Sequence, residues 1–208
     1  MLLVDVSGSR HFGTLTQMKR DMMAEVAATL AFSTIANNDK VGVIFFSDKI
    51  EKFIPAQKGK THVLHIIREL LSFEPSSTGT DIAQALQYFS NAQKRHCTAF
   101  LISDFIGVEG LEKPLMIASN RHEVNAIQIY DRRETELPNV GLVKFHDAET
   151  GQDLWVDTAV ASVREQYASE WKQNQRRIEQ LCTKTGVKRM SVRTDEDYVK
   201  ALMKLFKS

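Results

Sequence analysis

Apolar positions along the chain fall into two alternating patterns. Leu2-Leu3-Val4 and Val41-Gly42-Val43-Ile44-Phe45-Phe46 are short runs without polar alternation, as expected of strands covered on both faces. Thr98-Ala99-Phe100-Leu101-Ile102 and Val124-Asn125-Ala126-Ile127-Gln128-Ile129 read as two more buried strands. Between the runs the spacing turns helical. Met18, Met22, Val26 and Leu30 predict a helix from Thr16 to about Asn37, and Ala24, Ala27, Ala28 and Ala31 allow close approach on its further sides. Leu64, Ile67, Leu70 and Leu71 mark a helix from about Thr61 to Leu71. Ile82, Ala85, Leu86 and Phe89 mark another after the Gly79-Thr80-Asp81 turn, with Asp81 or Thr80 as its cap. Ser47-Asp48-Lys49 turns the chain so that Ile50 to Ile54 pairs antiparallel at a sheet edge.

Alternation of this kind predicts an α/β fold: three layers around a doubly wound, mostly parallel, Rossmann-type sheet with one antiparallel edge strand. The segment from Val140 to Asp157 breaks the rhythm. There Leu142-Val143-Lys144-Phe145 and Leu154-Trp155-Val156 flank the polar turn Asp147 to Asp153, predicting a β-hairpin insertion. A helix follows from about Ala159 to Thr183. Its stripe of Val160, Val163, Tyr167, Trp171, Ile178 and Leu181 is interrupted by a polar position at Asn174. Val187 to Val192 gives a last short strand and Asp195 to Lys207 a terminal helix. With no internal repeat and no Pro-, Gly- or Ser-rich linker, residues 1–208 read as a single domain. Because the chain opens directly in a core strand, the expectation is a fragment with further sequence upstream.

Composition narrows the function classes. Of 208 residues, 27 are Lys or Arg and 26 are Asp or Glu, a net charge of +1, so no long-range field draws the chain to nucleic acid or to an anionic membrane. No apolar run approaches the ~20 residues of a membrane helix. Cys97 and Cys182 lie far apart, without metal-ligand spacing, and read as small core residues of a reducing compartment, which suggests the cytoplasm.

Ligands of open α/β sheets bind beyond the carboxyl ends of the strands. After the first strand the sequence reads Asp5-Val6-Ser7-Gly8-Ser9, and after a later one Ile102-Ser103-Asp104; between them Ser77-Thr78-Gly79-Thr80-Asp81 brings further oxygens to a helix start. The set holds hard oxygens and no His or Cys, which suits Mg²⁺, Mn²⁺ or Ca²⁺ rather than a typical zinc site. Asp5, Ser7, Ser9, Thr80 and Asp104 are the candidate ligands. Two carboxylates just neutralise a divalent ion, so one more anion is tolerated. Arg10, His11, Thr78, Asp81 and Phe105 border them as a candidate rim for a partner. His62 and His65, three apart, lack a third ligand for a transition metal, and Lys172, Arg176 and Arg177 read as a solvated helix face.

These residues resemble the von Willebrand factor A fold and its metal-ion-dependent adhesion site, in which Asp-x-Ser-x-Ser is joined by a Thr and an Asp from two later loops. Asp5, Ser7 and Ser9 match the first part, Thr80 the second and Asp104 the third. A narrower resemblance covers nearly the whole chain. It is similar to the carboxyl-terminal part of a bacterial family known as domain of unknown function fifty-eight, through Asp5 to Ser9, Phe12-Gly13 with Lys19, Ile102-Ser103-Asp104-Phe105, Asp131-Arg132-Arg133-Glu134, Glu136-Leu137-Pro138, Gly141 and Asp147 to Gly151. Arg10-His11 departs from the smaller or apolar residue common in that family. The resemblance implies a non-enzymatic, metal-dependent protein-interaction module whose ion keeps an outer position for an acidic side chain of a partner, and an association with MoxR-type AAA+ ATPases. Two alternatives stand beside it. One is a Mg²⁺-dependent phosphohydrolase using Asp5 as nucleophile, against which Ser7 stands where such enzymes carry a second Asp. The other is a scaffold with a lapsed metal site.

Overall fold

The computed structural model describes residues 1–7, 13–146 and 153–207, the side chains of 13–18 and of residue 146 aside. In chain order the elements are β1 (Leu2–Asp5), α1 (Gly13–Ala36), β2 (Val41–Phe46), β3 (Ile50–Gln57), α2 (Lys60–Ser72), α3 (Ile82–Ala92), β4 (Thr98–Ser103) and α4 (Glu112–Ser119). They continue as β5 (Glu123–Tyr130), α5 (Arg132–Thr135), β6 (Leu142–His146), β7 (Asp153–Asp157), α6 (Ala161–Thr185), β8 (Lys188–Arg193) and α7 (Tyr198–Lys207).

Six strands form one sheet in the order β3-β2-β1-β4-β5-β8. Every pairing is parallel except β2 with β3, so β3 is the antiparallel edge strand expected after the Ser47-Asp48-Lys49 turn. Successive strand residues point to opposite faces, and the core divides accordingly. Leu2, Val4, Val43, Phe45, Ile127 and Val192 pack on one face with α1, α2 and α7. Leu3, Ile44, Phe46, Leu101 and Ala126 pack on the other with α3, α4 and α6. This is the three-layer arrangement that the unbroken apolar runs require, since a strand read without polar alternation must be covered twice.

Local chemistry sets the element ends. Asp81 caps α3, its side chain accepting from the Gln84 amide at 2.8 Å. Gly186 ends α6 with φ +67°, a left-handed position that a side chain adopts at a cost, and the Val187 amide closes the motif on the Cys182 carbonyl at 2.9 Å. The interruption at Asn174 has a use: its amide donates to the Phe105 carbonyl at 3.3 Å, where an apolar residue would leave that acceptor unmet. Two short helices, α4 and α5, lie in segments for which the apolar pattern predicted no element.

The predicted hairpin is present as β6 and β7, which form a separate two-stranded sheet. Its base is closed by Thr158, which is buried; its hydroxyl donates to the Gly141 carbonyl at 2.7 Å and accepts from the Val140 amide at 3.0 Å. The turn residues 147–152 lie outside the described part. Cys97 and Cys182 are both free thiols; Cys182 is buried in the core as expected, while Cys97 is half-buried.

Candidate metal centre

The strand order explains where a site belongs. From β1 the chain runs to β2 on one side, then returns to β4 on the other, so the order reverses between β1 and β4. Open α/β sheets bind ligands at such a switch, beyond the strand carboxyl ends. Asp5 is the last residue of β1 and Asp104 follows the last residue of β4, so the two sequence-predicted carboxylates flank this point.

Asp5 is buried, 5% exposed, and it accepts three hydrogen bonds. Ser103 donates to Oδ2 at 2.6 Å, the Ser7 amide donates to Oδ1 at 2.9 Å, and the Ser7 hydroxyl also reaches Oδ1. With its single proton committed there, Ser7 Oγ accepts from the Thr80 hydroxyl, which lies against it. Burial nevertheless pushes the Asp5 carboxyl up to about 7, with the negative charge of Asp104 adding to the shift and the Ser103 and Ser7 hydrogen bonds opposing it. A buried carboxylate beside a second one is a place where an added cation is favoured.

Asp104 is held on all sides. Its Oδ1 accepts from the Ile106 amide at 3.1 Å, its backbone carbonyl accepts from the fully buried Gln128 amide at 2.9 Å, and its Oδ2 accepts from Lys19 Nζ at 2.8 Å. The same ammonium donates to Glu134 Oε1 at 2.5 Å. Burial pulls the Lys19 ammonium down, but the Asp104 and Glu134 carboxylates more than offset it and hold it above its usual range. Burial raises the Glu134 carboxyl, and Lys19 opposes that shift. Glu134 is fixed by α5, where its Oε2 accepts from the Asp131 amide at 3.1 Å while Asp131 Oδ1 accepts from the Arg133 amide at 2.8 Å.

The loop that carries Thr80 is pinned by Glu51 of β3. Glu51 Oε1 accepts from the Ser76 and Ser77 amides at 3.1 and 3.2 Å and from Ser47 Oγ at 2.8 Å, and Oε2 accepts from Ser76 Oγ at 2.7 Å. Burial opposes ionisation of Glu51, yet these donors hold it below its ordinary value. One turn further, the Asp81 amide donates to the Ser47 carbonyl at 2.8 Å. Gly79 sits so near that a Cβ would come within 3.3 Å of the Asp48 Cβ.

Of the five predicted ligands, Ser7 touches both Asp5 and Thr80, and Asp104 lies close enough for its charge to act on Asp5. Ser9 lies outside the described residues, as do the rim candidates Arg10 and His11. Thr78 is exposed and Asp81 half-buried, both beside Thr80. Phe105 corrects the expectation. It is 1% exposed and packs in the core with Leu3, Ile44 and Leu101, because a left-handed backbone at φ +57° turns its ring inward; it is no part of the rim. His62 does not pair with His65 but bonds the Val41 carbonyl at 2.9 Å. Sequence reasoning gave no role to Ser103, Lys19 or Glu134, although all three stand within the quoted motifs, and Glu51 carried no signal at all.

The donor set fits a hard cation. One carboxylate and two hydroxyls converge, with a second carboxylate alongside, and no nitrogen or sulfur ligand is among them. Among the described residues no three His, Cys, Asp or Glu side chains form a metal-binding group, so Ser and Thr hydroxyls would have to supply part of the shell.

Fold and site thus define a three-layer α/β domain with an oxygen-lined rim at the switch point of its mostly parallel sheet. The chain belongs to the family described as protein of unknown function DUF58, which matches residues 1–177. An uncharacterized protein of Mycobacterium tuberculosis is 29% identical over 211 residues, covering 100% of this chain and 66% of the relative. The chain therefore spans just under two thirds of that relative's length. Among solved structures, the conserved hypothetical protein BatB from Bacteroides thetaiotaomicron is similar with TM-score 0.60 at 17% identity, covering 100% of this chain and 98% of the other. An aerotolerance-related membrane protein from Bacteroides fragilis gives TM-score 0.56 at 18% identity, with the same coverage. At these identities the likeness bears on the fold, and it agrees with the mostly parallel three-layer sheet. No helix among the described residues is long and apolar enough to cross a membrane.

Proposed function

We propose that this domain is a non-enzymatic protein-interaction module in which a divalent cation, Mg²⁺ or else Mn²⁺ or Ca²⁺, is held by Asp5, Ser7, Ser9, Thr80 and Asp104 and offers an outer position to an Asp or Glu of a protein partner. The observation that carries the reading is the convergence of the Asp5, Ser7 and Thr80 oxygens at the β1/β4 switch point, beside Asp104. A buried Asp5 carboxyl pushed to about 7 supports it, since an ion beside it would favour the charged form. The family resemblance supports a MoxR-type AAA+ ATPase as partner, and the reading of Cys97 and Cys182 as thiols of a reducing compartment supports a cytoplasmic position for this segment.

Thermal unfolding tests the reading. Mn²⁺ or Mg²⁺ at about 100 times Kd should add ~2.7 kcal/mol relative to EDTA, which is roughly 5–10 °C for a domain of this size. Asp5→Ala should remove the response. Identical melting curves with and without metal would sink the proposal.

A further inference from the structure

We propose that Lys19 is a tethered competitor of the divalent cation: it holds Asp104 until an ion displaces it, and so sets the affinity of the site. The inference rests on the metal-dependent reading above and names how that site is regulated. Lys19 lies on α1, 85 residues from Asp104 and 115 from Glu134 in sequence, yet its Nζ bonds both at 2.8 and 2.5 Å. The three side chains are 13%, 18% and 23% exposed, so solvent screens their charges poorly and the ammonium is the charge partner of both carboxylates.

Both oxygens of Asp104 already have a donor, Ile106 N–H on one and Lys19 on the other. Each carboxylate oxygen keeps a second lone pair, so a cation that takes Asp104 as a ligand can share an oxygen with a neutral amide but meets a like charge at Lys19. The Ile106 amide belongs to a local turn and is neutral. Lys19 is charged and sits on a flexible four-carbon stem, so like-charge repulsion and mobility both select it as the group that leaves.

Glu134 makes the exchange possible. Before it, the ammonium is shared between Asp104 and Glu134. After it, the ion neutralises Asp104 while Lys19 stays paired with Glu134, and no buried charge is stranded, a condition that otherwise costs several kcal/mol. The receiving carboxylate is held in place by the capping box with Asp131, whose Oδ2 is in turn bonded by the Thr194 hydroxyl at 2.9 Å.

Mn²⁺ binding, followed by calorimetry and by the electron paramagnetic resonance of free Mn²⁺, tests this on the native chain, Lys19→Met and Lys19→Gln, each checked for folding by circular dichroism. Removing the ammonium should tighten Mn²⁺ binding about tenfold or more, the equivalent of ~1.4 kcal/mol of relieved competition. Adding Asp5→Ala to Lys19→Met should abolish the gain. A folded Lys19→Met that binds Mn²⁺ no better than the native chain overturns the competitor role while leaving the metal reading intact. Failure of native and variant alike to bind at millimolar Mn²⁺ overturns both. A second measurement needs no substitution: reductive methylation of the native chain, read by mass spectrometry, should modify Lys19 faster at saturating Mn²⁺ relative to the remaining lysines. An unchanged Lys19 rate overturns the proposal whatever the variants show.

Discussion

The Ser103 hydroxyl donates to Asp5 Oδ2 at 2.6 Å across neighbouring strands, joining residues 98 apart in sequence, and Ser103 Oγ itself accepts from the Phe105 amide at 3.1 Å. Ser103 is fully buried, so neither partner has water to fall back on. Ser103→Ala should therefore lower stability by about 1–3 kcal/mol, the cost of leaving buried polar groups unmet. Urea unfolding measures it; a loss of a few tenths would show that the hydroxyl is dispensable.

Glu51 is expected to matter for Thr80 although it is not a ligand. Its carboxylate gathers the Ser76 and Ser77 amides and the Ser47 and Ser76 hydroxyls. Glu51→Ala should cost about 1–2 kcal/mol, given that the contacts are partly exposed. It should also speed hydrogen exchange at the Ser76 and Ser77 amides while the amides of β1 and β4 keep their protection. Uniform acceleration across the sheet would mean that Glu51 supports the whole fold and not this loop.

His122 gives the fold a dependence on pH away from the rim. It is buried, packs on Phe89 with ring centroids 4.5 Å apart, and lies 3.7 Å from the Cys97 sulfur. Burial lowers its pKa from 6.5, helped by the charges of His96 and Arg121. The unfolded chain then takes up a proton that the native state resists. The stability contributed by neutral His122 is complete above about pH 6.5 and is lost as pH falls through the lower native value. The difference in urea midpoint between the native chain and His122→Gln should shrink from pH 7.5 to 5. A difference that stays constant with pH would assign the titration to other groups.

Most of the fold was legible because it rests on burial. Strands such as Val41–Phe46 must be covered on both faces, and the helical spacing of Met22, Val26 and Leu30 leaves one buried side. The edge position of β3 and the hairpin followed from their turns. The helix α4 escaped because it is short and begins without a capping side chain, so no sustained period announces it and only Glu112 and Pro114 in its first turn hint at a start. The candidate ligands were legible as a motif, but the groups that orient them were not. Lys19 of α1 meets Glu134 of α5 only in the folded chain, and nothing in the spacing of two residues 115 apart foretells a shared ammonium. Phe105 was misplaced for a related reason: its neighbour Asp104 marks a loop, and a backbone with positive φ that folds the next ring inward leaves no trace in the apolar pattern.

Asp5 ends β1 and Asp104 follows the end of β4, adjacent parallel strands paired as Val4 with Ile102, so Asp5 stands level with Ser103 and Asp104 lies one residue further on. The strand ends that carry them are thereby kept near the ~4.8 Å repeat of the sheet. That half of the rim behaves as a fixed jaw. For the proposed cation, accommodation to ionic radius falls to the Thr80 side, whose loop Glu51 restrains through the Ser76 and Ser77 amides.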